Sequence, residues 1–464
     1  MQKITRLLII VLLFLFITTN YAYAERPRIY ALTNGKIVVA PGKVINKGTI
    51  LLRDGLIEAV GENISIPADA VEIDVTGKTI YPGLIDISAT LGSGARRTGR
   101  GDNAATPSAS PIQQFLQGRQ TEPQLGPVHY LTRVRPENHA SEQLSQFDQD
   151  NKDIESFRSL GITTVLVTPT TGIFRGESVL INLRNTTPIP NLILKDSVAQ
   201  HIAFEFGFFG SNYPSSLFGA VAAFRQVLLD ANQYQTWQER YKNNPSGMKR
   251  PEYSAAFEAL APVLKGSRPV VFELNNNQDI LLADRLAREF NLNAIIFNNG
   301  NEWELLDQIK PLNRTFILST SFPDKPKLEN EDEAVNVSLR DLRRYVTAPE
   351  NAKRVYDAGI RFALTTRNLK NKTDLSKNIR KMLEAGLTLD AVLAAFTTTP
   401  AEVLGVSNSL GTLEKGKIAN LFVSSGELFG EKSKIERVFV DGYDYQMEDK
   451  KPMLPEGFEP KENE

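Results

Sequence analysis

From Ile80 to Thr365 the chain repeats one unit, a short apolar run, a loop, then a stretch with helical periodicity. This alternation constrains the fold more than any other feature, because strands regularly separated by helices pair in parallel. The clearest runs are 163–167, 201–206, 269–274, 293–297, 315–319 and 361–365. Helical patterns lie over 153–160, 219–231, 279–290 and 346–358. So many short buried strands favour a closed (β/α)8 barrel over an open sheet.

The two ends of the chain read differently. Runs at 36–40, 48–53, 56–60 and 71–75 are punctuated by Asp54-Gly55 and Thr76-Gly77, and Asp54-Gly55 between apolar flanks is a hairpin signal. Short strands return over 410–423 and 435–440, so both termini can contribute to one β domain.

Residues 1–24 have the form of a secretory signal peptide. Lys3 and Arg6 precede the apolar run Leu7 to Ile17, and Ala22-Tyr23-Ala24 supplies a small-x-small cleavage site. The run is shorter than the roughly 20 residues of a spanning helix, so the expectation is a periplasmic or secreted protein with no membrane attachment after cleavage. The absence of cysteine excludes disulfides and a lipidated cysteine. Lys plus Arg (53) nearly balance Asp plus Glu (54), which leaves no net field for nucleic acid.

The segments Asn34-Gly35-Lys36-Ile37, Gly77 to Asp86 (GKTIYPGLID), Gly161 to Val165 (GITTV), Thr398 to Gly405 (TTPAEVLG) and Gly411 to Leu421 (GTLEKGKIANL) occur in an order that resembles the amidohydrolase superfamily. The likeness is closest to exported bacterial relatives of imidazolonepropionase and dihydroorotase. It implies a (β/α)8 TIM-like barrel with a composite β-sandwich built from both chain ends. The implied boundaries are 25–80 and 406–464 for the sandwich and 81–405 for the barrel.

The resemblance also implies one or two divalent ions at the C-terminal mouth of the barrel, which activate a water. Its ligands are two histidines after the first strand, often a carboxylated lysine, one histidine each after the fifth and sixth strands, and an aspartate after the eighth. Here those positions read Ser88 and Thr90, Ala203, Glu273 and Asn275, Asn299, and Arg367. Only three histidines exist in the chain, His129, His139 and His201, and none falls on a ligand position. The expectation is therefore no metal and no cofactor, with zinc as the alternative.

The same residues are the ligand-pocket candidates: Ser88, Thr90, Glu273, Asn275, Asn299 and Arg367. Ser88 and Thr90 read either as a hydroxyl pair or as strand-end filler. Glu273 and Arg367 read as a buried ion pair, or Glu273 as a general base with its pKa raised by burial. The Asn runs at 275–277 and 298–301 suit neutral polar ligands or plain turn chemistry. Arg96-Arg97-Thr98-Gly99-Arg100 reads as a solvated loop or an acidic-partner contact, and the aromatics of 204–209 as a plug for the old metal site. Three function classes follow. One is a degenerate family member acting by binding, by pairing with an active relative of the same fold, or as a homo-oligomer. The second is a hydrolase of carbon-nitrogen bonds other than peptide bonds, with atypical or no metal, and the third is a receptor for polar ligands such as sugars or peptides at the Asn-lined mouth.

Overall fold

A computed structural model describes residues 28–89, 128–144, 152–185, 189–207, 213–326 and 337–447. The signal-like segment 1–24, Thr90 and the arginine run 96–100 lie outside the described residues.

Five N-terminal strands, β1 (Tyr30–Ala40), β2 (Lys43–Arg53), β3 (Leu56–Gly61), β4 (Val71–Asp74) and β5 (Lys78–Pro82), precede β6 (Leu84–Ala89). Asp54 (φ 51) and Gly55 (φ 80) turn β2 into β3 in the left-handed region, as the Asp-Gly signal requires. After β6 come β7 (Ile162–Val167), β8 (Phe174–Glu177), β9 (Val179–Asn182), β10 (Ile193–Lys195) and β11 (Gln200–Ala203). Next are β12 (Val270–Glu273), β13 (Ala294–Asn298), β14 (Thr315–Ser319) and β15 (Phe362–Thr365). The chain closes with β16 (Leu421–Ser425), β17 (Lys434–Val440) and β18 (Tyr443–Gln446).

Both chain ends do pair. β16 runs antiparallel to β5, in an eight-stranded sheet ordered β18-β17-β16-β5-β1-β2-β3 with β4 against β1. Its core mixes the two ends, Leu32, Ile37, Ile50 and Ile80 packing with Leu413, Leu421, Val423 and Phe439. The described strands of this domain form one hydrogen-bonded sheet, where two packed layers were expected.

The parallel array is divided as well. β11 to β15 pair in parallel in chain order, while β6 and β7 pair in a second sheet. Between them the chain crosses at Ser178. β8 pairs antiparallel with β11, and β9 antiparallel with β7. At the far side β15 meets β6 through side chains, Thr365 Oγ1 lying 2.8 Å from Ser88 O and 2.6 Å from Asp86 Oδ1. The fold is mixed α/β and consistent with a barrel, but among the described residues backbone pairing leaves two sheets and no closed ring.

Alternation along the strands sets two apolar layers. Val271, Ile295, Phe297, Ile317 and Ala363 face inward with Ile85, Ile87 and Leu166. The alternate residues Phe272, Ile296, Phe316 and Leu364 face the helices. The helix expected over 346–358 is two, Leu339–Thr347 and Asn351–Asp357, separated by a tight turn at Ala348–Glu350. Pro349 supplies no N–H to continue the first helix.

Candidate functional site

The inward parity that buries Val271 and Ala363 carries Glu273 and Thr365 to the same side at the strand ends. His201 shares that parity, because it pairs with Val271 and its neighbour Ala203 pairs with Glu273. These placements bring a charged cluster together above the inner apolar layer.

Glu273 is its hub and is 6% exposed. His201 Nδ1 lies 2.9 Å from Glu273 Oε1, and Arg367 Nη2 donates to Oε2 at 2.6 Å. Arg175, from β8, also donates to Oε2. Arg367 extends further, Nη1 donating to Ser88 Oγ at 3.0 Å and to Thr168 Oγ1 at 3.4 Å. Its guanidinium carbon stands 5.1 Å from the centroid of the Phe297 ring. Arg175 in turn faces Glu205 at 3.5 Å, and Glu205 accepts from Arg133 at 3.1 Å.

A second buried carboxyl, Asp86, sits beside this cluster without an ion pair among the described residues. Its Oδ1 accepts from Thr365 Oγ1 at 2.6 Å and Ser88 N at 3.1 Å. Its Oδ2 accepts from Thr366 N at 3.0 Å and from the Thr366 hydroxyl. Four donors satisfy it, so Asp86 fastens β6 to β15.

Burial acts to raise the Glu273 carboxyl, but the His201 hydrogen bond and the Arg367 and Arg175 charges outweigh it and bring the pKa down to about 2. A carboxylate so held is a weak base at neutral pH, the reverse of what the general-base reading of Glu273 requires. Burial also lowers His201, against the opposing pull of Glu273, which favours neutral imidazole. Asp86 is raised by desolvation despite its hydrogen bonds.

The cluster forms one wall of a cavity of about 110 Å³ lined by Arg175, Glu273, Asn275, Asn298, Asn299, Arg367 and Asn368, with Phe297 and Leu274 as its apolar lining. Of the sequence candidates, Glu273, Asn275, Asn299 and Arg367 line the cavity, and Ser88 stands behind Arg367 as a hydrogen-bond acceptor. Thr90 lies outside the described residues. The Asn runs divide: Asn299 Nδ2 donates to Asn275 O at 2.7 Å on the rim, while Asn298 and Asn277 are buried and bonded to each other at 2.7 Å.

Arg175 was not legible as a site residue. Phe174-Arg175-Gly176-Glu177 is a four-residue strand with no periodicity to mark it, and only its crossing between sheets brings it to the mouth. His201 is a buried partner of Glu273, whereas His129 and His139 lie away from the cluster. His129 Nδ1 accepts from Leu131 N at 3.1 Å, and burial lowers the ring to about 4. The aromatic plug is not found among the described residues. Phe204 packs toward the helix layer against Phe272, 6.1 Å between centroids, and Phe206 is exposed. Phe208 and Phe209 lie outside the described residues.

These side chains do not fit a divalent ion. Among the described residues no group of three or more His, Cys, Asp or Glu converges as metal ligands. Both Glu273 oxygens are engaged by cations or imidazole. Two guanidinium groups repel a divalent ion by several kcal/mol each, at about 4 Å and an effective dielectric near 20.

Residues 336–443 match the family model described as Amidohydrolase family. The solved amidohydrolase of Thermotoga maritima is similar in fold, with a TM-score of 0.69 at 23% identity over 90% of this chain and 100% of that one. Molinate hydrolase is also similar, with a TM-score of 0.52 at 15% identity over 91% of this chain and 95% of that one. In sequence, the Amidohydrolase tasK of Hapsidospora irregularis is 25% identical over 191 residues, 40% of this chain. The chain matches only 18% of the length of that relative. The family model thus covers less than half of the chain, and the likeness to the solved structures is one of fold.

Proposed function

We propose that this protein is an exported, metal-free member of the amidohydrolase superfamily that acts by binding and has lost metal-dependent hydrolysis. The observation that carries the reading is the ion-paired Arg367–Glu273–Arg175 group, set where a metal's donors would have to converge. Arg367 links the ends of β6, β7 and β12 through Ser88, Thr168 and Glu273, so a guanidinium performs the cross-linking that a cation would otherwise supply.

The reading extends to a (β/α)8-type arrangement in which side-chain contacts between β15 and β6 stand in for backbone pairing, a composite β domain from both chain ends, and the exported imidazolonepropionase and dihydroorotase relatives as its branch. Residues 1–24 direct it to the periplasm or outside the cell. Its protein partner is an active relative of the same fold or a second copy of itself. Among the described residues no helix is long and apolar enough to cross a membrane.

Metal analysis of protein purified from zinc-supplemented cells tests the reading, with an amide-hydrolysis panel run with and without chelator. Substoichiometric zinc and no chelator-sensitive turnover are expected. One tightly bound zinc per chain, with hydrolysis lost to chelator, establishes the second reading, a hydrolase of carbon-nitrogen bonds other than peptide bonds.

A further inference from the structure

We infer that the mouth cavity binds a small carboxylate, held between Arg175 and Arg367 and the rim amides of Asn275 and Asn368. The inference rests on the metal-free binding reading and adds the ligand class. Neutral polar ligands suit asparagines alone, but the wall opposite them is cationic.

Charge counting gives the first argument. Three guanidinium groups, Arg133, Arg175 and Arg367, share two carboxylates, Glu205 and Glu273. Asp86 makes no ion pair with either arginine among the described residues, its four acceptor contacts going to Ser88, Thr365 and Thr366. His201 is a neutral partner by its burial. Among the residues that line the cavity itself, two guanidinium groups, Arg175 and Arg367, face one carboxylate, Glu273, and in a confined, partly desolvated mouth an anion gains more from them than it does in water.

Donor counting gives the second. Arg367 spends Nη1 on Ser88 and Thr168 and Nη2 on Glu273, while its Nε has no hydrogen-bond partner among the described residues. Arg175 spends Nε on Gly172 O and Nη1 on Glu273, leaving Nη2 only a 3.5 Å ion pair with Glu205. Unspent guanidinium N–H groups beside one cavity match the planar, two-oxygen face of a carboxylate.

Size gives the third. A cavity of about 110 Å³ has room for roughly four water molecules, hence for a carboxylate with one or two carbons. Leu274 and Phe297 give those carbons an apolar contact.

Titration of the full chain with acetate, propionate, acetamide and inorganic phosphate, followed by calorimetry and thermal shift, tests the inference. Acetate and propionate are expected to bind and raise Tm at constant ionic strength, with acetamide silent and phosphate weaker. Asn275→Asp places a carboxylate on the exposed rim at no change of size, and the propionate Kd is expected to rise about tenfold. Arg175→Gln should weaken propionate at least as much; if that variant does not fold, Asn275→Asp decides alone. Equal binding of acetamide and acetate, phosphate binding tighter than propionate, or an unchanged Kd in Asn275→Asp overturns the inference. A metal-free protein that ignores carboxylates sinks this inference alone, whereas stoichiometric zinc removes the parent reading.

Discussion

Arg367 donates to Glu273 at 2.6 Å across the interior, from the end of β15 to the end of β12, with β13 and β14 lying between them in the sheet. The contact ties strands that share no backbone hydrogen bond. Glu273 has two further partners, Arg175 and His201, whereas Arg367 also has Ser88 and Thr168. Losing the carboxylate therefore takes the shared partner from two partly buried guanidinium groups, while losing Arg367 leaves Glu273 still paired. Glu273→Gln is expected to cost about 3–5 kcal/mol and Arg367→Met about 1–3 kcal/mol. Urea unfolding of both variants checks the order. Equal costs would mean that the charge pairing is not what holds the mouth.

The same hub makes stability depend on pH with a definite sign. Burial alone would raise the Glu273 carboxyl, yet His201, Arg367 and Arg175 lower it from 4.5 to about 2. A depressed carboxyl stabilises the fold above its unfolded pKa and loses that contribution as pH falls toward the folded value. The wild-type advantage over Glu273→Gln, on the order of 3 kcal/mol, should therefore be full above about pH 5 and shrink between pH 4.5 and 2. Unfolding free energies of the two proteins across that range measure it. A difference that stays constant with pH would remove Glu273 from the charged network.

Much of this arrangement was open to sequence reasoning. Apolar runs separated by helical patterns located the strands carrying Glu273 and Arg367 to within a residue or two, because a buried strand must be apolar over its length. Asp54-Gly55 fixed a hairpin, because its left-handed turn excludes most other pairs. The missed pieces depend on contacts distant in sequence. β8 is only four residues long and earns its place by pairing with β11, so Arg175 carried no local sign of its role. His201 begins a strand and looked remote from a strand-end site, yet a residue two places along that strand pairs with Glu273 and puts the ring beside the carboxylate. The division into two sheets likewise follows from the crossing at Ser178, which no periodicity announces.

Glu302 offers a contrast to Glu273. It is fully buried, burial raises its carboxyl against hydrogen bonds from amides and backbone, and no cation pairs with it among the described residues; Asn351 Nδ2 donates to Oε2 at 2.6 Å. A raised carboxyl binds its proton more tightly in the folded state, so stability falls as pH climbs above the unfolded value. Glu302→Gln retains an acceptor for Asn351 without an ionisable group. It is expected to match the wild type within about 1 kcal/mol near pH 4 and to become the more stable protein as pH rises toward 8. Thermal melts at constant ionic strength distinguish this from a pH-independent offset, which would mean that Glu302 is ionised in the folded state throughout.

Gly83, in the Tyr81-Pro82-Gly83-Leu84-Ile85-Asp86 segment, joins the terminal sheet to the parallel array. Its N–H donates to Asn420 O at 2.9 Å, and a Cβ added there would meet Thr163 Oγ1 at 2.2 Å and Thr163 Cγ2 at 2.6 Å. Thr163 is fully buried on β7, so it cannot swing aside. Gly83→Ala should therefore destabilise by about 1–3 kcal/mol through overpacking. Thr163→Ala removes the two atoms that crowd it most, with the Thr163 Cβ still at 2.9 Å. The double variant should accordingly lose less than the sum of the single losses, by on the order of 1 kcal/mol. A double-mutant cycle by urea unfolding measures this coupling. Strict additivity would show that the glycine is needed for its backbone alone, not for the close approach of β6 to β7 that places Asp86 and Ser88 beneath the mouth.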